Sequence, residues 1–233
     1  MNIDPNIHRL FRFVKARYDI LQTLGRQLLV GLLQLGILLV IARQLGPEGN
    51  GTYSMALLLP MFASTFLSLG IAPATVYYLG RTEIKASDAI HTNLFLAFLI
   101  SFIGILILIP VIWLFGGPIF PGIPKALLWL SLASFPLALT IQLLNSVNQA
   151  QKNFRSFNRV LLAPPAVTLL FIFIAVYLND GGLVACIAAY LGGQFAGLLM
   201  VLVGLRRHIA GLPGHFWSIL PLRKTAPQLL RYG

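Results

Sequence analysis

The chain has 233 residues, 58% of them hydrophobic and only 10% charged, with a formal net charge of +11. A soluble domain carries about 25% charged residues, so a globule of this composition could not cover itself with polar surface, whereas a bilayer accepts an apolar exterior. The single Cys excludes a disulfide framework and a Cys-based metal site, and the basic residues lie in short gaps between apolar runs, which argues against nucleic acid as a partner.

In chain order, residues 6–21 come first. Ile7, Leu10, Phe11, Val14, Tyr18 and Leu21 recur at helical spacing, with Arg9, Arg12 and Lys15 mostly off that stripe. This pattern predicts an amphipathic helix lying in the membrane interface, so residues 1–24 are expected to form a cytoplasmic interfacial segment. Crossing a hydrocarbon core about 30 Å thick takes roughly 20 apolar residues of helix. Six stretches reach that length: 26–45, 52–79, 89–115, 126–150, 160–178 and 183–205. Turn formers separate them, among them Gly46-Pro47-Glu48-Gly49-Asn50-Gly51, Gly116-Gly117-Pro118 and Asn179-Asp180-Gly181-Gly182. The fold class that follows is all-α, a polytopic membrane helix bundle. Residues 25–206 form a six-helix transmembrane lobe, and residues 207–233 form a basic cytoplasmic linker.

Orientation follows from Lys and Arg. With the N-terminus in the cytoplasm, fifteen of the seventeen basic residues fall on the cytoplasmic side, and only Arg43 and Lys125 fall outside. The net charge is thus a topology signal that suits anionic lipid head groups.

Catalytic chemistry finds little to stand on. Asp4, Asp19, Glu48, Glu83, Asp88 and Asp180 all fall in loops or at helix ends, and His8, His91, His208 and His215 read as peripheral, with no metal-ligand spacing. The expectation is a protein that is not an enzyme and uses no metal or cofactor. A cation-coupled pump places carboxylates at membrane depth, and these spans supply none. Uncharged polar residues within the spans carry more information. Gln27 and Gln34, seven apart, share one face of the first helix, with Gly31 between them. Gln142, Asn145 and Gln149 follow one stripe of the fourth, with Lys152 beyond them. Carboxamides facing lipid would lose their hydrogen bonds, so these faces should point inward. The fourth-helix stripe reads as the wall of a hydrated cavity for sugar hydroxyls or phosphate. The strip Ser64, Thr65, Ser68 and Thr75, and Gln194 beside Gly193 and Gly197, a G-x-x-x-G pair, read as interhelical hydrogen bonding. Pro60, Pro73, Pro110, Pro136 and the pair Pro164-Pro165 mark points where a helix can kink.

The stretch from Ala42 to Tyr53, Ala-Arg-Gln-Leu-Gly-Pro-Glu-Gly-Asn-Gly-Thr-Tyr, resembles the A-R-x-L-G-P-x-x-x-G-x-Y signature of polysaccharide transporters, the O-antigen and capsule flippases of the multidrug/oligosaccharidyl-lipid/polysaccharide exporter (MOP) superfamily. Leu69-Gly70-Ile71-Ala72 followed by Tyr77-Tyr78 is similar to the end of that family's second helix, and Asn145 through Phe157 to its N-x-x-x-x-A-x-x-x-F/Y segment. The resemblance implies 12 to 14 helices in two six-helix lobes around a central cavity, alternating access, and a polyprenyl-diphosphate-linked oligosaccharide as cargo. This chain would then be the N-terminal lobe, with a second, C-terminal lobe of the same protein, the bilayer, the lipid-linked oligosaccharide and a polysaccharide polymerase as partners in the plasma (inner) membrane. Arg26, Arg81 and Arg159, near cytoplasmic helix ends, are the candidates for neutralising a diphosphate, against a plain role as topology anchors. Lipid II flippases of the superfamily carry arginines inside the first helix; residues 27–42 here have none, which weakens that variant of the reading. A multidrug exporter of the same superfamily and a non-transporting membrane scaffold of a polysaccharide-assembly complex are the alternatives.

Overall fold

The structure is a computed structural model that describes residues 5–177 and 181–209, with side chains for 24–177, 181–206 and 208. The amphipathic side chains of residues 6–21 and nearly all of the 207–233 linker lie outside the described side chains. Among the described residues seven helices follow one another: α1 (Pro5–Leu67), α2 (Ile71–Gly80), α3 (Ala86–Ile119), α4 (Lys125–Leu132), α5 (Ser134–Ala150), α6 (Phe154–Tyr177) and α7 (Leu183–Ile209). No strand occurs among the described residues. Five stretches are long and apolar enough to cross a membrane, which makes this a multi-pass membrane protein.

The first of these stretches, Leu24–Leu67, has 44 residues. As one straight helix it would measure about 66 Å, twice the hydrocarbon thickness. Gly46 divides it, with φ 71° and ψ 178° inside α1. That left-handed φ favours glycine, and Pro47 next to it suits the first position of a new helix because the missing N–H has no intrahelical partner there. Two arms of spanning length result, so six segments cross, as the sequence predicts. The expected six-residue turn contracts to this one residue, and residues 47–51 are already helical.

Two predicted spans are interrupted. The second, expected to run unbroken over 52–79, stops at Leu67 and resumes as α2 at Ile71. Leu69 (φ 48°) and Gly70 (φ 68°) both lie in the left-handed region between them. Pro73 has no N–H for the Leu69 carbonyl, and its ring would collide with that carbonyl in a continuous helix. The fourth, Lys125–Ala150, bends at Ala133 between α4 and α5. Pro136 stands in the same relation to Leu132, and Ser131 and Ser134 bond back to the carbonyls of Leu128 (3.0 Å) and Ser131 (2.7 Å).

Helix α5 touches each of the other six helices. Phe135, Leu139, Leu143, Leu144 and Val147 are fully buried on it. The outward faces of the other helices are apolar and exposed, with Leu28, Met61, Phe66 and Trp113 each 68–70% open, as a lipid-facing surface requires. The tightest seam joins α6 to α7. A Cβ placed on Gly193 would fall on Thr168 Oγ1 and come within 2.5 Å of the Pro164 carbonyl oxygen, and one on Gly197 would come within 2.7 Å of the Pro164 ring. The Gly-x-x-x-Gly pair thus packs helices, as read from the sequence. Gly193→Ala is expected to destabilise the protein by about 1–3 kcal/mol, the usual cost of forcing extra volume into a packed contact. Gly25→Ala, where a Cβ meets nothing within 4 Å, is the control; thermal unfolding in detergent reads both.

Candidate functional site

Gln142, Asn145 and Gln149 share a face of α5 because positions i, i+3 and i+7 of a helix align. That face opens onto a recess of about 560 Å³, walled by α2 through Ala72, Pro73 and Val76, by α6 through Phe157, Val160, Leu161 and Pro164, and by Gln194 of α7. The volume falls within the roughly 300–1,000 Å³ of ordinary small-molecule sites. The three carboxamides are not equivalent. Gln142 and Gln149 are exposed and aim at the opening. Asn145 is 3% exposed; its Nδ2 donates to the Phe157 carbonyl (3.4 Å) and its Oδ1 accepts from Asn148 Nδ2 (3.2 Å). Asn145 therefore joins α5 to α6 and lines the recess from its floor.

A second recess, of about 250 Å³, lies on α1 and is lined by Arg26, Gln27, Val30, Gly31, Gln34 and Leu161. Leu161 lines both, so the two recesses are neighbours with one side chain between them. Arg26 is fixed from two sides. Its Nη1 donates to Asn158 Oδ1 at 2.9 Å, and its guanidinium lies 5.2 Å from the centre of the Phe157 ring, a cation–π contact. Phe157 also lines the larger recess. One positive charge is thus held at the boundary between the two recesses. Neither lining contains a carboxylate.

Of the residues singled out in the sequence, Gln142, Asn145 and Gln149 meet in one recess and Arg26, Gln27 and Gln34 in the other. Arg81 and Arg159 line neither. Arg81 caps the end of α2 and stacks on Tyr77, 4.3 Å from the ring centre; Arg159 is exposed. Gln194, read as bonding between helices, bonds to Tyr190 one turn earlier in α7 and lines the larger recess. Phe157 closes a segment that resembles the family, but nothing in the spacing marks it or Asn158 as a partner of Arg26. His91, read as peripheral, is buried at 3% exposure. It lies in the second turn of α3, where α5 packs against that helix. Ser64, Thr65 and Ser68, read as bonding between helices, bond back to carbonyls three or four residues earlier in their own segment, because a hydroxyl on a helix finds those carbonyls nearest; Thr75 alone of the strip also reaches another helix, at Asn93. Among the described residues no cluster of His, Cys, Asp or Glu could hold a metal ion.

Six apolar crossings with a recess that gathers Gln142, Asn145, Gln149 and Gln194 on one face define a helical membrane protein. Residues 18–233 match the family described as polysaccharide biosynthesis protein, and the chain belongs to it. Its fold resembles that of a MOP superfamily transporter from Pyrococcus furiosus, with a TM-score of 0.64 and 16% identity over 88% of this chain and 49% of that one. At that identity the likeness concerns the fold alone, and the chain spans about half the length of that transporter. No curated protein gives a match.

The unequal burial of the carboxamides leads to a direct test. Asn145→Leu leaves the Asn148 amide and the Phe157 carbonyl without their partner and should lower stability by about 1–3 kcal/mol. Gln142→Leu removes an exposed group and should leave stability unchanged. Thermal unfolding of the two purified variants separates them.

Proposed function

We propose that this chain forms one wall of a transporter that moves a polyprenyl-diphosphate-linked oligosaccharide across the inner membrane by alternating access. A second, C-terminal lobe of the same protein supplies the facing wall. The observation that carries this reading is Arg26, clamped by Asn158 and Phe157 beside a largely apolar recess into which four carboxamides are set. A diphosphate needs a fixed cation, and a guanidinium held in place from two sides loses little freedom when it pairs with an anion. Sugar hydroxyls need donors and acceptors in rotation, and Gln142, Gln149 and Gln194 offer both. The absence of carboxylates from both linings leaves nothing to repel the diphosphate. Gln27 and Gln34, exposed on the α1 side, are then closed over by the second lobe. In this reading residues 1–24 lie in the cytoplasmic interface, residues 207–233 lead toward the second lobe, and a polysaccharide polymerase receives the cargo.

The reading is tested by transport in the full-length protein. Arg26→Gln and Gln142→Leu should each lower oligosaccharide transport at least tenfold while membrane abundance stays within a factor of two. Transport and abundance falling together would make both residues part of the scaffold and sink the assignment. The orientation is tested separately. In a Cys186→Ser background, single Cys residues at the exposed positions 48 and 121 should react with an impermeant thiol reagent from outside, and those at the exposed positions 83 and 154 should not. The reverse pattern would invert the topology.

A further inference from the structure

We infer that a crevice between α3 and α5, on the side of α5 away from the recess, is a binding site for one acyl chain of a bilayer phospholipid. The inference concerns the lipid around the protein and holds whatever the cargo is. The crevice measures about 350 Å³ and is lined by α3 between Leu94 and Ser101 and by Pro136 and Thr140 of α5. Close contacts join the two helices at both of its ends. At one end Asn93 Nδ2 donates to the Leu143 carbonyl at 2.8 Å. At the other, a Cβ placed on Gly104 of α3 would lie 2.6 Å from the Phe135 ring of α5. Between these points the facing side chains are too small to meet. Ala97 and Ser101, one turn apart on α3, are small and buried and form the floor, and the exposed Phe98 stands at the rim.

What can fill the crevice follows from its depth and its lining. Pro136 and Thr140 lie at the middle of the 26-residue stretch Lys125–Ala150, far from either head-group layer. A water there would need two or more polar partners. The Thr140 hydroxyl is committed to the Pro136 carbonyl at 2.7 Å, which leaves Ser101 Oγ, buried and without a hydrogen bond. One hydroxyl does not hold a water, and no charged residue lines the crevice. Left empty, the gap would forfeit dispersion contacts along both helices. Through Phe98 it is continuous with the lipid-facing surface of α3, where Leu99, Phe102 and Ile103 are exposed. At this depth the surroundings supply hydrocarbon, and the methyl-terminal half of a phospholipid acyl chain reaches it. A tail attached to something bound in the recess would have to pass around α5, so the chain belongs to a separate lipid. Seated there, it packs α3 to α5 behind the face that carries the carboxamides.

Photolabelling of the full protein in dodecyl maltoside tests this without any transport assay. The probe is a phosphatidylglycerol with a diazirine near the methyl end of one long chain. Label is expected in the peptide that contains residues 94–101, and dioleoylphosphatidylglycerol should abolish it. Dihexanoylphosphatidylglycerol has the same head group but chains too short to reach mid-depth, and should leave the label in place. Thr140→Phe and Ser101→Phe fill the crevice from opposite walls. Each should lose the label at 94–101 and keep whatever label falls on the exposed Leu28 and Leu32 of α1. The assignment is overturned if residues 94–101 are labelled no more than that face of α1, if the short-chain lipid competes as well as the long one, or if a folded Phe variant keeps the label. Displacement of the probe by a polyprenyl phosphate at lower concentration than by the dioleoyl lipid would overturn the assignment to a phospholipid. The competition in the unaltered protein decides the matter even if neither variant accumulates.

Discussion

A polar group in hydrocarbon has no water to fall back on, and that constraint sorts the side chains of this protein. Each hydroxyl or carboxamide within the spans has to bond to its own helix, bond across helices, or face a space that water can enter. Ser64, Thr65, Ser68, Ser131, Ser134 and Thr140 take the first course. Asn93 and Asn145 take the second, and Asn148 bonds to Asn145 within α5. Gln142, Gln149 and Gln194 take the third. The recess is the side of the lobe where the third group collects, and the remaining outward faces are left to Leu, Phe and Trp.

The same constraint explains the importance of α5. It touches every other helix, so its two sides meet different surroundings. On one side Gln142, Asn145 and Gln149 look onto the recess. On the far side Pro136 and Thr140 border an apolar crevice with Leu94, Phe95 and Phe98 of α3. A central helix with a wet face and a dry face fixes which way the lobe is turned. Helix α1 completes the arrangement, since its Arg26 reaches α6 at Asn158 and Phe157 and sets a charge at the edge of the wet face.

Much of this was legible in the sequence because bilayer crossing demands long apolar runs that period and length reveal directly. The six crossings and the shared face of Gln142, Asn145 and Gln149 follow from spacing alone. The breaks were only half legible. Pro73 and Pro136 marked where a helix could fail, but whether the chain bends gently, as at Ala133, or unwinds through two left-handed residues, as at Leu69 and Gly70, depends on neighbouring helices. Contacts between distant segments left no trace in spacing. Nothing in local sequence couples Arg26 to Asn158, 132 positions away, or distinguishes the buried Asn145 from the exposed Gln142 three residues earlier. Gln194 was legible as a bonding amide beside two glycines that pack, but not that its partner is Tyr190 of its own helix and not a neighbouring one.

The seam between α6 and α7 bears on how the chain is made. Helix α6 carries Pro164 and Pro165 at its middle, so its backbone ladder lacks two donors and is weakest there. Gly193 and Gly197 of α7 press against that stretch. During synthesis α6 leaves the ribosome first, and its weak centre stays uncovered until about thirty further residues have followed. The two helices are then neighbours in the chain with a connection of a few residues, so closing the seam costs little loop entropy. The pair can assemble as a unit before either helix has to find its place among the others, and a defect in the glycines would act on α6, the helix that contains none of them, by leaving its weak centre uncovered.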